Sequence, residues 1–286
     1  MGVARFQQQR LDDLLQLVQL RLLGVATLLV LLPCCINCQQ QLSSSLLAQN
    51  GYDINWQYGH ATWYGNPYGD GSDGGACGYT SLENTPYGSN VAAGSAAVFS
   101  NGQGCGICYD VKCTYSICNS QPTRIVITDF CPGGVYCSTD EVAFDLSGSA
   151  MDSLAVPGLE STLRDFGQYD IQYMRVPCDY GVQNVAFAVD AGSSPYWLSF
   201  AVRYEGGPGD IESVMIRQSG SYDWVAMQHN WGASWMLIDY TGQAFRGPYD
   251  VQITAKLNGH SLIAWNAIPD YFQPGATYNS SVQFLY

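Results

Sequence analysis

Tyr196-Trp197-Leu198-Ser199-Phe200-Ala201-Val202-Arg203-Tyr204 is the stretch on which the fold turns. Its even positions, Tyr196, Leu198, Phe200, Val202 and Tyr204, are all apolar or aromatic, while the odd ones are Trp197, Ser199, Ala201 and Arg203. Side chains alternate faces along an extended strand. The even set is therefore expected in a core, and Trp197 on the solvated face. An exposed tryptophan costs solvation free energy and marks a partner. A flat indole suits the C–H face of a sugar ring, with about 150–250 Å² per ring available for burial. Packing of Trp197 under a loop is the alternative.

Around this stretch, residues 184–189, 213–218, 224–228, 235–238 and 249–256 also read as strands. Turn residues separate them, such as Gly192-Ser193-Ser194-Pro195, Gly206-Gly207-Pro208-Gly209 and Gly247-Pro248. Short strands at this spacing over about a hundred residues predict a β-sandwich. Trp231, in the turn-like Asn230-Trp231-Gly232-Ala233, is a second exposed candidate; Trp224 and Trp235 are expected in the core. His229 and His260 have no partner pattern and are read as surface or hydrogen-bonded residues.

Eight of the eleven cysteines fall between Cys77 and Cys178, and none follows. Two regions stabilised differently predict two domains, 58–181 with the disulfides and 182–286 without. In the first, 61–64, 97–99, 109–113, 124–128 and 170–176 read as strands, and 149–154 as a short helix. With no βαβ alternation, these pieces predict a small barrel. The chain as a whole is expected to be all-β. Eight cysteines allow about 105 pairings, so spacing does not choose among them. Cys105-Gly-Ile-Cys108 is not read as a zinc pair, because no histidine lies near it.

Residues 1–38 read as an export signal, with Arg5, Arg10 and Arg21 ahead of the apolar run 22–32 and Pro33 ending it. Residues 39–57, rich in Gln, Ser and Asn, read as a flexible leader. The expected product is secreted and disulfide-bonded, with no later segment able to span a bilayer. Charged residues are only 12% of the chain and the net charge is −13, which disfavours nucleic acid, anionic membranes and de-esterified pectin as partners. No cofactor, no metal and no dimer-forming pattern is read. Asn279-Ser280-Ser281 is a glycosylation sequon.

Two acids stand out. Asp129 ends the run 124–129, and Asp145 shares a strand face with Ala143 and Ser147, opposite Val142, Phe144 and Leu146. Cys131 and Cys137 lie between them, and a local bridge there would hold the two acids in fixed relation. Positioned carboxylates serve either as a glycosidase pair or as hydrogen-bonding groups in a groove. The residues alone leave both readings open.

Taken together, these motifs resemble the expansins, specifically the β type. The resemblance is carried by Ala61-Thr62-Trp63-Tyr64-Gly65, Asp73-Gly74-Gly75-Ala76-Cys77-Gly78-Tyr79, Gly102-Gln103-Gly104-Cys105-Gly106-Ile107-Cys108-Tyr109, Asp145-Leu146-Ser147-Gly148, Gly209-Asp210-Ile211 and Trp231-Gly232-Ala233-Ser234-Trp235. It spans about residues 58–286 and implies a six-stranded double-psi β-barrel, similar to family-45 glycoside hydrolases, followed by an immunoglobulin-like carbohydrate-binding β-sandwich. It implies loosening of plant cell walls without hydrolysis, through non-covalent contacts between cellulose and matrix glycans such as xylan. The family's groove residues map onto Thr62, Trp63, Tyr64, Asp73, Asp129 and Asp145, and its sugar-stacking aromatics onto Trp197 and Trp231. The resemblance also implies the pairs Cys77–Cys105, Cys108–Cys178 and Cys113–Cys118, which leaves Cys131 with Cys137.

There are two departures. Ala143 stands where the family motif begins with histidine, and the loop 131–137 is longer than is typical. The related hydrolases use two aspartates: one resembles Asp145, the general acid, but Thr62-Trp63-Tyr64-Gly65-Asn66 has no carboxylate for the other. Loss of a base removes about 10²–10⁴-fold of acid–base catalysis, so no enzyme is expected. A weak endoglucanase using Asp145, with Asp129 or Asp73 as substitute base, and a purely glycan-binding wall protein are the alternatives.

Overall fold

The computed structural model describes residues 45–71, 73–82, 84–138, 140–238 and 244–285. The expected export signal, 1–38, lies outside them. Asn50–Tyr286 forms one unit. The last part of the expected leader is packed onto it: Tyr52 is buried, Asp53 Oδ2 accepts from Arg175 N at 2.9 Å, and Lys112 Nζ lies 3.9 Å from the Trp56 ring centroid.

Six strands close a barrel: β1 (Gln57–Tyr64), β2 (Val91–Gly94), β3 (Cys108–Cys113), β4 (Thr123–Phe130), β5 (Ala143–Ser147) and β6 (Tyr169–Val176), in the order β1-β5-β2-β4-β3-β6. β1 pairs with β5 and β2 with β4 in parallel; the other pairs are antiparallel. β4 carries the unbroken run Ile125-Val126-Ile127, as a strand buried on both faces requires. Ile125 and Ile127 fill the barrel, while Val126 faces the other way into a second buried cluster. The four expected disulfides are present, Cys77–Cys105, Cys108–Cys178, Cys113–Cys118 and Cys131–Cys137.

The sandwich follows, with β7 (Ala186–Val189), β8 (Trp197–Arg203), β9 (Ser213–Gln218), β10 (Val225–Ala226), β11 (Gln228–Trp231), β12 (Ser234–Ile238), β13 (Tyr249–Thr254), β14 (Ser261–Ile268) and β15 (Thr277–Asn279). One sheet runs β10-β9-β13-β14 and the other β11-β12-β8-β7-β15. Leu198, Phe200 and Val202 are fully buried between them, with Phe187, Ile216, Val251 and Trp235.

Several expectations are corrected. Residues 97–99 belong to a helix, Ala96–Phe99, not a strand; an apolar run this short carries no period, and only Val98 is buried. Residues 224–228 are not one strand. The chain crosses between the sheets at buried Met227, so β10 joins one and β11 the other. Trp224 is half-buried outside the core, under Arg217, whose Cζ lies 4.5 Å from its ring. Tyr196 is 52% exposed, because β8 begins one residue later.

The face of β8 expected to be solvated is largely covered. Ser199, Ala201 and Arg203 are buried: Ser199 by Ser193 and Ser234 of the sandwich itself, at 3.0–3.1 Å, and Ala201 and Arg203 because the barrel sits on them. A third buried cluster joins Cys77, Tyr79, Tyr87 and Val126 of the barrel to Ala186, Ala201, Tyr204 and Ala233 of the sandwich. Small side chains on the sheet let the two bodies approach. The tightest point is Gly232, at φ 54°, where a Cβ would lie 2.4 Å from the Ala76 carbonyl oxygen. Gly232→Ala combines left-handed strain with a backbone clash, and is expected to cost ~2–5 kcal/mol, a fall in Tm of roughly 5–15 °C. Calorimetry checks this, and an unchanged Tm would mean that the seam is not close-packed in solution.

Candidate functional site

The site is built on the outer wall of the barrel, across four adjacent strands. Thr62 of β1 pairs with Asp145 of β5, Asp145 with Ala93 of β2, and Ala93 with Asp129 of β4. Thr62, Asp145, Ala93 and Asp129 therefore form one row. The two acids flank the same alanine, their Cα atoms about 10 Å apart at two strand spacings. No pattern in the sequence reveals this relation, since it depends on the order of strands in the barrel.

The acids differ in environment. Thr62 Oγ1 donates to Asp145 Oδ1 at 2.5 Å, and Asp145 Oδ2 lies 3.9 Å from Cys131 Sγ of the Cys131–Cys137 bridge. Burial pushes the Asp145 carboxyl above its ordinary range; the Thr62 hydrogen bond opposes this, and the charge of Asp129 adds to it. Asp129 Oδ1 accepts from Ala76 N at 2.6 Å and from Phe130 N at 2.7 Å. It thereby clamps the loop that carries Asp73, itself exposed at the surface.

That loop reaches the sandwich. Gly75 lies against Asp129, and a Cβ there would stand 2.9 Å from its carboxyl carbon. Three residues on, a Cβ on Gly78 would stand 2.7 Å from Trp231 Cη2. Trp231 is 47% exposed at the end of β11. Beside it a cleft of about 330 Å³ runs between the loop and the five-stranded sheet, lined by Gly74, Gly78, Thr80, Ala201, Arg203 and Trp231 among others. Arg203 Nη2 donates to Thr80 Oγ1 across it at 3.1 Å. Trp197 is half-buried on the same sheet face, about 13 Å along β8 from Ala201, whose partner is Ser234 beside Trp231.

Trp63 and Tyr64 leave β1 on opposite faces. Tyr64 packs on the groove side against Ala93, Cys131 and Cys137. Trp63 packs against the barrel core, and its Nε1 donates to the Arg164 carbonyl at 3.0 Å. The structure thus brings Thr62, Tyr64, Asp129, Asp145 and Trp231 onto one connected surface, while Trp63 is turned inward. Asn66, in the stretch without a carboxylate, uses its Oδ1 to accept from Tyr68 N at 3.0 Å in a turn.

His60 escaped the sequence reading. It pairs across strands with Ala143, so an imidazole stands beside the position where one was found lacking. It lies 3.2 Å from Glu141 and 3.1 Å from Asp170, and stacks on Tyr136 of the 131–137 loop at 4.0 Å. His60, Glu141 and Asp170 edge a cleft of about 490 Å³ along β1.

Residues 185–269 match the family described as expansin C-terminal domain, and residues 91–173 one described as lytic transglycolase. Among curated relatives, Expansin-B11 of Oryza sativa subsp. japonica is 44% identical over 231 residues, 80% of this chain and 78% of the relative. Expansin-B3 of Arabidopsis thaliana is 42% identical over 255 residues, 87% of this chain and 94% of the relative. In fold, the chain is similar to a Clavibacter michiganensis expansin solved as a point mutant in complex with cellohexaose, with a TM-score of 0.60, 23% identity, and coverage of 81% of this chain and 99% of the other. With the barrel and sandwich above and relatives at this identity over most of the chain, the protein belongs to the expansin family, as a plant β-expansin.

Proposed function

We propose that this chain loosens plant cell walls by binding cellulose or matrix glycans and weakening the contacts between chains, without cutting them. The observation that carries this is the continuous surface from Thr62 and Asp145 through Asp129 and the 73–78 loop to Trp231. Carboxylates and hydroxyls along it suit sugar hydroxyls, and the indole suits a sugar's C–H face. The bacterial relative whose structure holds cellohexaose supports the same ligand class here. On this reading the protein is exported to the wall as a monomer, with Asn279, exposed on β15, available for a glycan. It needs no cofactor.

One observation favours a second reading, a weak endoglucanase: Asp145, raised by burial, and Asp129 flank Ala93. Against it, one oxygen of Asp129 is engaged by two backbone N–H groups. The test is creep of isolated walls under load, with reducing sugar assayed in parallel, for the wild type and Asp145→Asn. Loosening by binding predicts creep without sugar release and retention of at least about half of it in Asp145→Asn. A hydrolase predicts sugar release that falls by about 10²–10⁴-fold in the variant. Steady sugar release alongside creep would sink the proposal.

A further inference from the structure

The four-stranded sheet turns its outer face away from the surface described above, and that face carries a second aromatic platform. Arg217 of β9 lies with its Cζ 4.5 Å from the Trp224 ring centroid and 5.1 Å from that of Trp265. Trp265, on β14, is 58% exposed. Asp250 beneath them is 1% exposed, and takes Arg217 Nε at 3.0 Å, Ser219 Oγ at 2.6 Å and Asn266 N at 2.9 Å.

The backbone is shaped to present Trp265. Between Val251↔Ala264 and Tyr249↔Ile268 the register shifts, so that β14 bulges. Within the bulge Asn266 adopts φ 48°, in the left-handed region that asparagine enters more readily than other non-glycine residues. Bulges re-aim side chains, and here the result is an indole in solvent with Asp250 fastening the bulge from below. A sheet that only needed covering would bury that ring.

We propose that Trp265, Trp224 and Arg217 form a second glycan-binding site, which takes a neutral β-linked chain on the sandwich face opposite Trp231. The chemistry selects this occupant. Arg217 is neutralised by Asp250, and the chain carries a net charge of −13, so nothing draws a polyanion. By strand alternation the rings share their face with polar Ser213, Gln252 and Thr254 as well as Met215 and Ile263, a mixed surface that suits a ligand with both C–H faces and hydroxyls. Two faces on opposite sides make the protein bivalent, able to hold two glycan chains at once. This rests on the function proposed above, because bivalence needs the Trp231 face to bind as well.

The test uses the full chain with cellohexaose as probe. Titration calorimetry is expected to find two sites in the wild type and one in each of Trp231→Ala and Trp265→Ala. Capture of a labelled cello-oligosaccharide onto a cellulose film through the protein is expected to fall at least fivefold in each single variant. If Trp265→Ala keeps the wild-type stoichiometry and capture, the second site is overturned while the first stands. If Trp265→Ala abolishes all binding and Trp231→Ala none, the Trp231 reading falls and the second site remains. No binding by the wild type removes both. Failure of Trp265→Ala to fold would also overturn the inference, since an exposed ring is not needed for folding.

Discussion

Trp231→Ala is expected to weaken glycan binding at the Trp231 face by roughly 50-fold and to reduce wall creep to near background. The ring is about half exposed, so close to 100 Å² of indole is free to be covered by a ligand, worth about 2–3 kcal/mol at ~25 cal/mol per Å². Each 1.4 kcal/mol is about tenfold in affinity. The loss should exceed that from Trp197→Ala, because Trp231 sits where sheet and barrel loop meet and a chain lying there touches both. Trp231→Phe keeps a flat ring and is expected to recover about half of the lost free energy. Depletion assays on microcrystalline cellulose, run in a Trp265→Ala background so that only the Trp231 face binds, measure this. Equal losses in Trp231→Ala and Trp197→Ala would show that position along the surface does not matter, and no loss in either would remove the stacking account.

The same residues show how much was legible in the sequence. Alternation along β8 places Leu198, Phe200 and Val202 in the core, because a strand's two faces are a local property. It says which residues turn away from their own sheet's core, but not what covers them. Ala201 and Arg203 are buried by the barrel, a contact made by residues some 120 positions earlier, such as Thr80 with Arg203. Tyr204 leaves the strand with φ 61° and enters the seam cluster. Trp265 was missed for the opposite reason: the bulge that exposes it also destroys the alternation that would mark β14 as a strand. The acids Asp129 and Asp145 were legible as residues, but their shared neighbour Ala93 was not. β2 is the short stretch Val-Ala-Ala-Gly, buried throughout, with no pattern to announce it. The disulfide pairing was legible only through resemblance, since spacing alone leaves it open.

The seam that places Trp231 against the barrel is expected to tighten as pH falls from about 8 towards 4.5. Glu205 lies in this seam, 1% exposed, and its Oε2 has no hydrogen-bond partner among the described residues. Burial pushes its carboxyl up from 4.5 to about 8; the charge of Asp210 adds to this, while a backbone hydrogen bond and Arg203 oppose it. Tyr79, Tyr87 and Tyr180 surround it as uncharged phenols, all held well above their ordinary range by burial. The folded state therefore binds the Glu205 proton more tightly than the unfolded chain does. Its stabilisation is fully present below about pH 4.5 and is lost as pH rises to about 8. At ~1.4 kcal/mol per unit, the window is worth on the order of 3–5 kcal/mol, or roughly 10 °C in Tm. Asp250 works in the other sense, its carboxyl lowered despite burial by hydrogen bonds from Asn266, Ser219 and Arg217, so its contribution is lost only at more acid pH. Glu205→Gln keeps the shape without the titration. Its Tm should vary little between pH 5 and 8, while that of the wild type falls. Cellulose binding should follow if the seam sets the register of Trp231 against the loop at Gly78: it declines towards pH 8 in the wild type and stays level in the variant. A wild-type Tm that is flat over this range, or a variant with the wild-type slope, would exclude Glu205 as the group responsible.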